Sequence, residues 1–451
     1  MNYTELQNKL KVPDSLITDL SDRENYFHDE TIYSNRPSAL LLAENTEDII
    51  TAVKFCAARR ILITPRGAGT GLSGGCVPSP DALVISTEKL TYLQIDEDKK
   101  TAFCGPGLIT KKLQDEAARY GLSYPPDPAS YEESSLGGNV AENAGGLRCK
   151  RFGVTRDYVL GLKAVTADGS LLKTGLYNNY RGFNLTDLLV ASEGTLGIIT
   201  EIAVRLIARP GDGVTFLAVF DSPADAAQTV ADIITSGIVP NVLEYIDGDA
   251  ADCANRYEKT EGIDNAAAVL LLETADTGKK RQAERIDEIC RRNRCSYIRA
   301  ADSPEQAELL WRVRRNISHA AKSISKAKIS EDIAVPISQF PRLVTFVSQL
   351  NRKSRLKINS YGHAGDGNLH VNLLSPDGSA DDMREVEPTV RALLEKALEL
   401  GGTVTGEHGI GLAKREYLAL EFTPPTLEAM RKVKQVFDPH GLLNPEKLLP
   451  E

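Results

Sequence analysis

The chain has 451 residues, of which 42% are hydrophobic and 25% charged, and its formal net charge is −9. This length predicts two domains, with three as the alternative, and the acidic balance argues against sequence-independent binding to nucleic acid. The polar N-terminus MNYTELQNKLKVPDSL lacks a signal-peptide pattern, and no apolar run in the sequence approaches the ~18 residues of a transmembrane segment.

The seven cysteines are scattered, and no two of them form a C-x-x-C pair. An odd number without close spacing indicates free thiols in a reducing compartment. This spacing also leaves no ready ligand set for an iron–sulfur cluster in this chain. We therefore expect a cytoplasmic protein.

The N-terminal third alternates short β-branched runs with helical stretches, which is typical of an α/β arrangement. The run ALLLA (39–43) predicts a buried strand, and residues 46–59 predict a helix that Thr46 caps. The next strand is predicted at ILIT (61–64), and short strands with glycine-rich loops dominate from about 81 to 208.

The segment ARPGDG (208–213) is the predicted domain boundary, because one proline and two glycines stand there at a change of character. Beyond it, strand-like runs such as VTFLAVF and AAVLLLET alternate with long helices at about 223–236 and 304–325. This order favours an α+β domain with an antiparallel sheet.

A glycine-rich loop follows the predicted strand at 61–64. Gly69, Gly71 and Gly74 match the G-x-G-x-x-G dinucleotide fingerprint, but Pro78 and Pro80 exclude the helix that must follow it in a Rossmann fold. Consecutive glycines still let backbone N–H groups converge on an anion, and a flexible surface loop is the alternative. Two further glycine-rich stretches, SSLGGNVAENAGGLRCKRFG and SEGTLGIIT, favour a large, extended cofactor.

The stretch GHAGDGNLH holds two of the six histidines of the chain. Asp366-Gly367 predicts a two-residue hairpin turn, which would place His363 directly opposite His370 on one face of a strand pair. Asn372 would lie on the same face.

The stretch TGEHGIG places Glu407 and His408 between glycines. His363, His370 and Glu407 make a two-histidine, one-carboxylate set that suits Zn, Mn or Fe and leaves coordination positions open. For either histidine alone, a hydrogen-bonded structural role is the alternative.

Three motifs, PRGAGTGLSGG, YPPDPASYEESSLGGNVAENAGGLRCKRFGVTRDYVLGL and SEGTLGIITEIAVRL, closely resemble the FAD-binding domain of the vanillyl-alcohol oxidase superfamily, also called the PCMH type. Within it, the chain from about residue 30 to its end is similar to the branch of D-lactate dehydrogenases, the glycolate oxidase catalytic subunit and D-2-hydroxyglutarate dehydrogenase.

The expected fold class is α+β, with three parts. Residues 1–208 form the FAD-binding domain, in subdomains of about 1–60 and 61–208. Residues 209–425 form a substrate or cap domain with the metal site, and residues 426–451 return to the FAD domain.

The resemblance also implies which residues line the FAD. Covalently tethered members carry a histidine near the first glycine loop, which this chain lacks, so the FAD is predicted to be non-covalent. The residues implied are Arg66, Gly67, Ala68, Gly69, Thr70, Gly71 and Ser73 at the pyrophosphate, Ser134, Ser135, Gly138, Asn139, Asn143, Gly145 and Gly146 at the flavin and ribityl chain, Glu193, Gly197 and Ile199 at the adenosine or ring side, and Asn444 near the ring.

In this family GHxGDGNLH and GEHGxG carry the metal ligands, which implies one divalent metal at the three residues named above. His408 is the implied general base, with orientation of Glu407 as its alternative role. Arg314, in the LWxxR pattern, is implied to grip the substrate carboxylate, with Lys328 assisting and Asn372 on the face of the metal ligands.

The resemblance thus implies an FAD- and metal-dependent dehydrogenase. His408 would remove the hydroxyl proton of a D-2-hydroxy acid while hydride passes from C2 to flavin N5, giving the 2-oxo acid. D-lactate is the favoured substrate, with glycolate and D-2-hydroxyglutarate as alternatives. The electrons would then pass to a separate acceptor, which is an iron–sulfur subunit, an electron-transferring flavoprotein, a quinone or a cytochrome; such a partner gives an alternative location at the inner face of the membrane.

Three other classes compete with this interpretation. A non-catalytic FAD subunit that relays electrons needs the glycine loops but not the metal ligands. A non-haem iron oxygenase and a metal hydrolase need the ligands but not the flavin domain.

Overall fold

The computed structural model of the chain describes residues 2–178, 182–260, 262–275 and 277–450. The chain folds into two compact units. The first unit comprises Met1–Gly145, Gly153–Arg209 and Glu407–Glu451, and the second comprises Gly146–Phe152 and Pro210–Gly406.

Within the described ranges the strands are β1 (Leu16–Ile17), β2 (Ala39–Leu42), β3 (Ile63–Arg66), β4 (Leu83–Ser86), β5 (Leu93–Asp96), β6 (Thr101–Cys104), β7 (Leu122–Ser123), β8 (Val159–Val165), β9 (Leu171–Lys173), β10 (Ile198–Arg205), β11 (Ile207–Ala208), β12 (Thr215–Phe220), β13 (Val242–Asp247), β14 (Ala268–Glu273), β15 (Cys295–Ala300), β16 (Ala327–Ala334), β17 (Lys357–Gly362) and β18 (Asn368–Ser375).

The α-helices of the same ranges are α1 (Thr4–Lys9), α2 (Thr46–Arg59), α3 (Thr110–Arg119), α4 (Leu136–Glu142), α5 (Cys149–Phe152), α6 (Leu185–Leu189), α7 (Pro223–Thr235), α8 (Gly248–Tyr257), α9 (Lys279–Arg292), α10 (Pro304–Ser323), α11 (Phe340–Lys353), α12 (Ala380–Glu399), α13 (Leu418–Glu421) and α14 (Pro424–Phe437). Among the described residues, no helix has both the length and the apolar character needed to cross a membrane.

The first unit contains two larger sheets. One has the order β1-β2-β4-β3, in which β4 pairs in parallel with β2 and β3. The strands β2 and β4 are apolar except for Ser86 and are almost entirely buried, as is usual for parallel strands. The last strand of this sheet along the chain, β4, ends at Ser86.

The second sheet of the first unit has the order β5-β6-β10-β8-β9 and is antiparallel. Its core includes Leu113 of α3, Val140 of α4 and Ile202 of β10, all fully buried. The strand β10 begins at Ile198, within the third glycine-rich stretch, so the sheet fixes the end of that stretch.

Two local predictions for the first unit need correction or support. Helix α2 is capped by Asn45 rather than Thr46, because the Asn45 side chain accepts a hydrogen bond from the N–H of Asp48. After β3, residues 67–82, all of them described, contain no helix, and the chain continues into β4. The Rossmann interpretation is therefore excluded by the structure as well as by the prolines.

The second unit is built on a seven-stranded antiparallel sheet with the order β15-β12-β14-β13-β17-β18-β16. Helices α8 and α10 contribute to a core with Ile246, Trp311 and Tyr361. Together with the first unit, this sheet confirms the α+β fold class with an antiparallel cap sheet.

The chain returns to the first unit at Glu407, earlier than the expected residue 426. The physical reason is hydrogen bonding: the N–H groups of Leu412 and Ala413 both donate to the carbonyl of Ser73. The short segment Gly146–Phe152 goes to the second unit, where Lys150 lies against Gly365.

Candidate functional site

The first two glycine-rich stretches meet in the first unit. The N–H of Ala68 donates to Ser135 Oγ at 3.2 Å, and the same hydroxyl caps α4. A Cβ on Gly67 would lie 2.4 Å from that oxygen, so only glycine allows the loop to approach this closely. The two stretches predicted to hold one cofactor are thus side by side.

Arg66 has a supporting role in the structure that the sequence did not indicate. Its guanidinium donates to the carbonyls of Asn25 and His28 at 2.7 and 2.9 Å, and the residue is buried. A Cβ on Gly69 would collide with this guanidinium. Arg66 therefore supports the first glycine-rich loop, and its guanidinium is directed at backbone carbonyls.

The second stretch contains buried polar side chains that are tied to α3. Thr110 Oγ1 lies 3.1 Å from Ser134 Oγ and accepts a hydrogen bond from Asn139 Nδ2 at 2.6 Å. Asn143 ends α4 in the left-handed region with a φ of 55°, and its Oδ1 accepts from the N–H of Arg156. These contacts within the protein fix the shape of the second stretch.

The third stretch is joined to the returning chain through Glu193. Its carboxylate accepts from the N–H groups of Ile410 and Gly411 at 2.7 and 2.6 Å. Asn444 Nδ2 donates to the Glu193 carbonyl at 2.6 Å and to the Gly75 carbonyl at 2.8 Å. Glu193 thus connects the loop with the motif GEHG to the cofactor stretches, a role that sequence reasoning missed.

A second carboxyl group, Glu142, lies beside Glu193. A Cβ on Gly409 would be 2.2 Å from Glu142 Oε2 and 3.0 Å from Glu193 Oε1, so both carboxyls flank this glycine. Burial and the neighbouring Glu193 charge raise the pKa of Glu142 well above its ordinary value. Burial raises the pKa of Glu193 to about 6, while its two backbone hydrogen bonds favour the ionised form. Of the two carboxyls, Glu193 has the hydrogen bonds that favour the ionised form, while burial and the Glu193 charge favour the neutral form of Glu142.

Other predicted cofactor residues lie where the third stretch enters β10. Gly197 has the Val165 carbonyl 3.3 Å from the position of a Cβ, and Ile199 pairs with Ala164 of β8. Both residues are therefore placed by the antiparallel sheet of the first unit.

The first unit also fits an extended polar cofactor by its buried donors and acceptors. Ser73 Oγ and Asn444 Oδ1 are buried, and each atom has no hydrogen-bond partner among the described residues. Buried polar atoms are normally paired, so these two atoms indicate a ligand with polar edges. Both belong to residues that the resemblance places along the FAD.

In the second unit the two histidines of GHAGDGNLH lie together. Their ring centroids are 5.1 Å apart with an interplanar angle of 88°, and both residues are buried. The predicted hairpin turn is wrong, because residues Ala364–Asp366 form a 3₁₀ turn and only Gly367 has a positive φ. Consequently His370 pairs with Tyr361 across the strands, and His363 lies two residues beyond the end of that pairing.

A buried carboxylate, which the sequence gave no reason to select, joins this pair to Arg314. Glu244 Oε1 lies 2.7 Å from His363 Nδ1, and Glu244 Oε2 accepts from Arg314 Nε at 2.5 Å. The Arg314 guanidinium also lies 4.5 Å from the centroid of the Tyr361 ring, which is 5.4 Å from that of His370. Burial raises the pKa of Glu244, but the charges of His363 and Arg314 lower it more, and the net shift is downward.

Asn372 and Lys328 occupy the same sheet but have partners of their own. Asn372 is fully buried, accepts from Ser330 Oγ at 2.7 Å and donates to Asn359 Oδ1 at 2.8 Å. Lys328 donates to Ser318 Oγ of α10 at 2.6 Å. Asn372 lies two residues after His370 on β18 and therefore on the same face of the strand, as the sequence predicts.

Glu407 and His408 follow directly on the last residue of the second unit. The N–H of Gly406 donates to Asp332 Oδ2 at 2.7 Å. Asp332 lies on β16 and pairs with His370 of β18. Glu407 is peptide-bonded to this anchored glycine, and both Glu407 and His408 are half-buried. Carboxylate and imidazole are donor types that Zn, Fe or Mn accept.

Two protein families match the two parts of the chain separately. The family described as "FAD binding domain" matches residues 37–175, and the family described as "FAD linked oxidases, C-terminal domain" matches residues 209–448. The second match covers more than half of the chain, and the chain therefore belongs to the FAD-linked oxidases. It is an FAD-dependent oxidoreductase.

Relatives of known name place it more narrowly within that family. The chain is 39% identical over 429 residues to the glycolate oxidase subunit GlcD of Bacillus subtilis (strain 168), covering 94% of this chain and 91% of that protein. It is 33% identical to the D-lactate dehydrogenase of Anaerostipes hadrus, with coverages of 94% and 92%. It is 30% identical to the D-2-hydroxyglutarate dehydrogenase of Stutzerimonas stutzeri (strain A1501), with coverages of 97% and 96%. The chain is thus a member of the branch that contains these three proteins.

Solved structures share the fold at much lower sequence identity. p-Cresol methylhydroxylase with bound substrate has a TM-score of 0.81 at 14% identity, covering 99% of this chain and 96% of that chain. The 4-ethylphenol oxidase from Gulosibacter chungangensis has a TM-score of 0.79 at 15% identity, with the same coverages. These likenesses confirm the PCMH-type fold.

Proposed function

We propose that this protein oxidises a D-2-hydroxy acid, D-lactate in preference to others, to the 2-oxo acid. The observation that carries the proposal is the buried cluster of the second unit, where Glu244 and Tyr361 connect two neighbouring imidazoles to the guanidinium of Arg314. A 2-hydroxy acid has a hydroxyl and a carboxylate on adjacent carbons, so it suits a site with a metal and a cationic fork.

The first unit holds the FAD without a covalent bond. The glycine loop over residues 66–75 and the stretch from Ser134 to Gly145 line the FAD, and Ser73 and Asn444 offer the polar atoms noted above. Residues Glu193, Gly197 and Ile199 complete the set. When bound, the FAD supplies the two-electron acceptor that side chains lack.

His363, His370 and Glu407 hold one divalent metal, which is Zn, Fe or Mn. The support is the donor set itself: two buried imidazoles within one cluster, and a carboxylate directly after an anchored glycine. When bound, such a metal supplies a Lewis acid that lowers the pKa of the substrate hydroxyl.

Arg314 binds the substrate carboxylate. A guanidinium presents a planar set of donors that matches a planar anion, and its place on α10 is fixed by the hydrogen bond to Glu244. Lys328 adds positive charge from β16, and Asn372 adds an amide on the face of His370.

His408 acts as the general base. An imidazole titrates near neutral pH, so it can take the hydroxyl proton as the C2 hydride leaves. The substrate loses one proton and one hydride in this step, and the carbon–oxygen bond becomes a carbonyl. The glycine on each side of the Glu407-His408 pair lets this short segment turn, and Glu193 holds its continuation in place.

Glycolate is the second candidate substrate, because the relative with 39% identity is named a glycolate oxidase subunit. D-2-hydroxyglutarate shares the same 2-hydroxy-carboxylate group. In each case the electrons pass onward to a separate acceptor, which is an iron–sulfur subunit, an electron-transferring flavoprotein, a quinone or a cytochrome. The protein works in the cytoplasm or at the inner membrane face through that partner.

The test is anaerobic reduction of the bound flavin by a panel of D- and L-2-hydroxy acids, with metal content measured on the same sample. We expect D-lactate to bleach the flavin and L-lactate to leave it oxidised. A protein that contains metal and FAD but is reduced by no member of the panel would instead be an electron-relay subunit.

A further inference from the structure

Glu244 of β13 holds a central place in the second unit, yet no motif marks it. Its side chain is fully buried and divides its two oxygens between two partners, His363 Nδ1 at 2.7 Å and Arg314 Nε at 2.5 Å. One carboxylate thereby touches both a proposed metal ligand and the proposed substrate clamp.

The contact to His363 decides which ring nitrogen carries the proton. A carboxylate only accepts hydrogen bonds, so Nδ1 must carry the hydrogen and the lone pair lies on Nε2. This assigns Nε2 as the ligand atom of His363. A carboxylate behind a ligating imidazole also increases the basicity of that imidazole.

The contact to Arg314 decides the plane of the guanidinium. The Nε atom is held by Glu244, and the guanidinium carbon lies 4.5 Å from the centroid of the Tyr361 ring. The guanidinium is thus held from two directions. The same carboxylate supplies the countercharge that a buried, permanently charged arginine requires.

We infer that Glu244 is a positioning residue that sets both the metal affinity of His363 and the orientation of Arg314. This inference rests on the proposed function, because it takes His363 as a ligand and Arg314 as the clamp. Its prediction is specific: one substitution weakens metal binding and substrate binding together, although Glu244 itself touches neither.

The choice of variant follows from the geometry. Glu244→Gln keeps the size of the side chain, but its amide nitrogen cannot accept from His363 Nδ1–H while its oxygen serves Arg314. The imidazole must then change tautomer or lose its partner. Glu244→Asp keeps the charge and shortens the reach by one methylene, so it should recover part of the effect.

Asp247→Asn is the matched control. Asp247 is another carboxylate of β13, three residues on, and it accepts hydrogen bonds from the N–H of Ala250 and from Ser360. Among the described residues, Asp247 makes no hydrogen bond to His363 or Arg314. Loss of this carboxylate tests whether any buried acid of the strand would give the same result.

The experiment uses the full-length, FAD-loaded protein. Bound metal is removed with a chelator, and Zn²⁺ is titrated back in competition with a chromophoric chelator to give its Kd. We expect Glu244→Gln to weaken Zn²⁺ binding about 10- to 100-fold, Glu244→Asp less, and Asp247→Asn not at all. With saturating Zn²⁺, Glu244→Gln should still raise the KM for D-lactate, while its FAD content stays normal.

A double variant separates positioning from general destabilisation. If Glu244 acts on the metal through His363, Glu244→Gln adds no further loss of Zn²⁺ affinity to His363→Ala. The inference is overturned if Glu244→Gln, or Glu244→Asp should the first variant not fold, binds Zn²⁺ as tightly as the wild type. It is also overturned if the two losses simply add. A wild-type protein that binds no divalent metal would overturn the proposed function itself, which is a different result.

Discussion

His363 and His370 lie with their imidazole centroids 5.1 Å apart and their planes at 88°. Only eight residues of chain contain both, and both are buried. Two buried imidazoles cannot both be charged at this distance without a large cost in free energy. Neutral imidazoles bind a divalent metal through their lone pairs, which is the role proposed for this pair.

The first prediction concerns this pair. His370→Ala should abolish stoichiometric metal content and slow flavin reduction by D-lactate by at least about 100-fold, because one of three protein ligands is lost. Elemental analysis and anaerobic stopped-flow absorbance would measure the two effects. His319→Ala, which removes an exposed imidazole of the same unit, is the control. Normal metal content in His370→Ala would show that the ligand assignment is wrong.

The second prediction concerns the carboxylate clamp. Arg314→Lys keeps a positive charge but loses the planar fork and the Nε contact to Glu244, so the KM for D-lactate should rise roughly 10- to 100-fold. Steady-state kinetics with an artificial acceptor would measure it. Arg312→Lys is the control, since Arg312 lies on the same helix in a surface ion pair with Glu258. Equal KM values for the two variants would argue against a clamp at Arg314.

The third prediction concerns the meeting of the two glycine-rich stretches. Gly67→Ala places a methyl group 2.4 Å from Ser135 Oγ, so the loop must shift and FAD should be retained poorly on gel filtration. Adding Ser135→Ala removes the clashing oxygen and should restore part of the FAD content. Ser135→Ala alone measures what the hydroxyl contributes. If the double variant loses as much FAD as Gly67→Ala, the close approach of the stretches is not the cause.

The fourth prediction concerns pH and the Glu142–Glu193 pair. Because the pKa of Glu142 is raised in the folded protein and that of Glu193 reaches about 6, folding favours a protonated carboxyl. The stability that this gives is complete below the ordinary pKa of 4.5 and is lost as pH rises through 6 and above.

Glu142→Gln removes the titration while keeping the shape of the side chain. Its melting temperature should therefore fall less than that of the wild type between pH 5 and pH 8, because the raised pKa of Glu142 no longer contributes to the pH dependence. Differential scanning calorimetry at both values would measure the difference. Glu133→Gln, an exposed change in the same unit, should follow the wild-type slope. A Glu142→Gln slope equal to that of the wild type would contradict a raised pKa of Glu142 in the folded protein.

The sequence predicted the larger elements well because their patterns are local. The apolar runs at 39–43, 214–220 and 267–274 appear as β2, β12 and β14, and the antiparallel cap sheet is confirmed. The prolines after the glycine loop correctly excluded a Rossmann helix, since a missing N–H and a steric clash act within one turn.

The turn at Asp366-Gly367 shows where local reasoning fails. The dipeptide favours a two-residue hairpin, but the chain forms a 3₁₀ turn over Ala364–Asp366 and the register moves so that Tyr361 faces His370. The histidines still meet, because His363 continues the same side of the strand beyond its end. The proximity of the two histidines was therefore predicted correctly, but from a turn that the chain does not form.

Glu244 shows what a motif search misses. It is 119 positions from His363 in the chain, so no spacing links them. One signal was present: a carboxylate stands inside the apolar strand run VLEYI, where a charge is expensive unless it is paired. Buried charges inside strand runs therefore belong among the first residues to examine in a chain of this kind.

In the reaction that we propose, this FAD protein takes hydride from a D-2-hydroxy acid at a metal and arginine site. The most direct test mixes the metal-replete protein with D-lactate under anaerobic conditions and follows the visible flavin band. We predict rapid bleaching with D-lactate and none with L-lactate. Chelation of the metal should abolish bleaching, and added Zn²⁺, Mn²⁺ or Fe²⁺ should restore it. Bleaching that is equally fast in the metal-free protein, or no bleaching by any 2-hydroxy acid with metal and FAD both present, would contradict it.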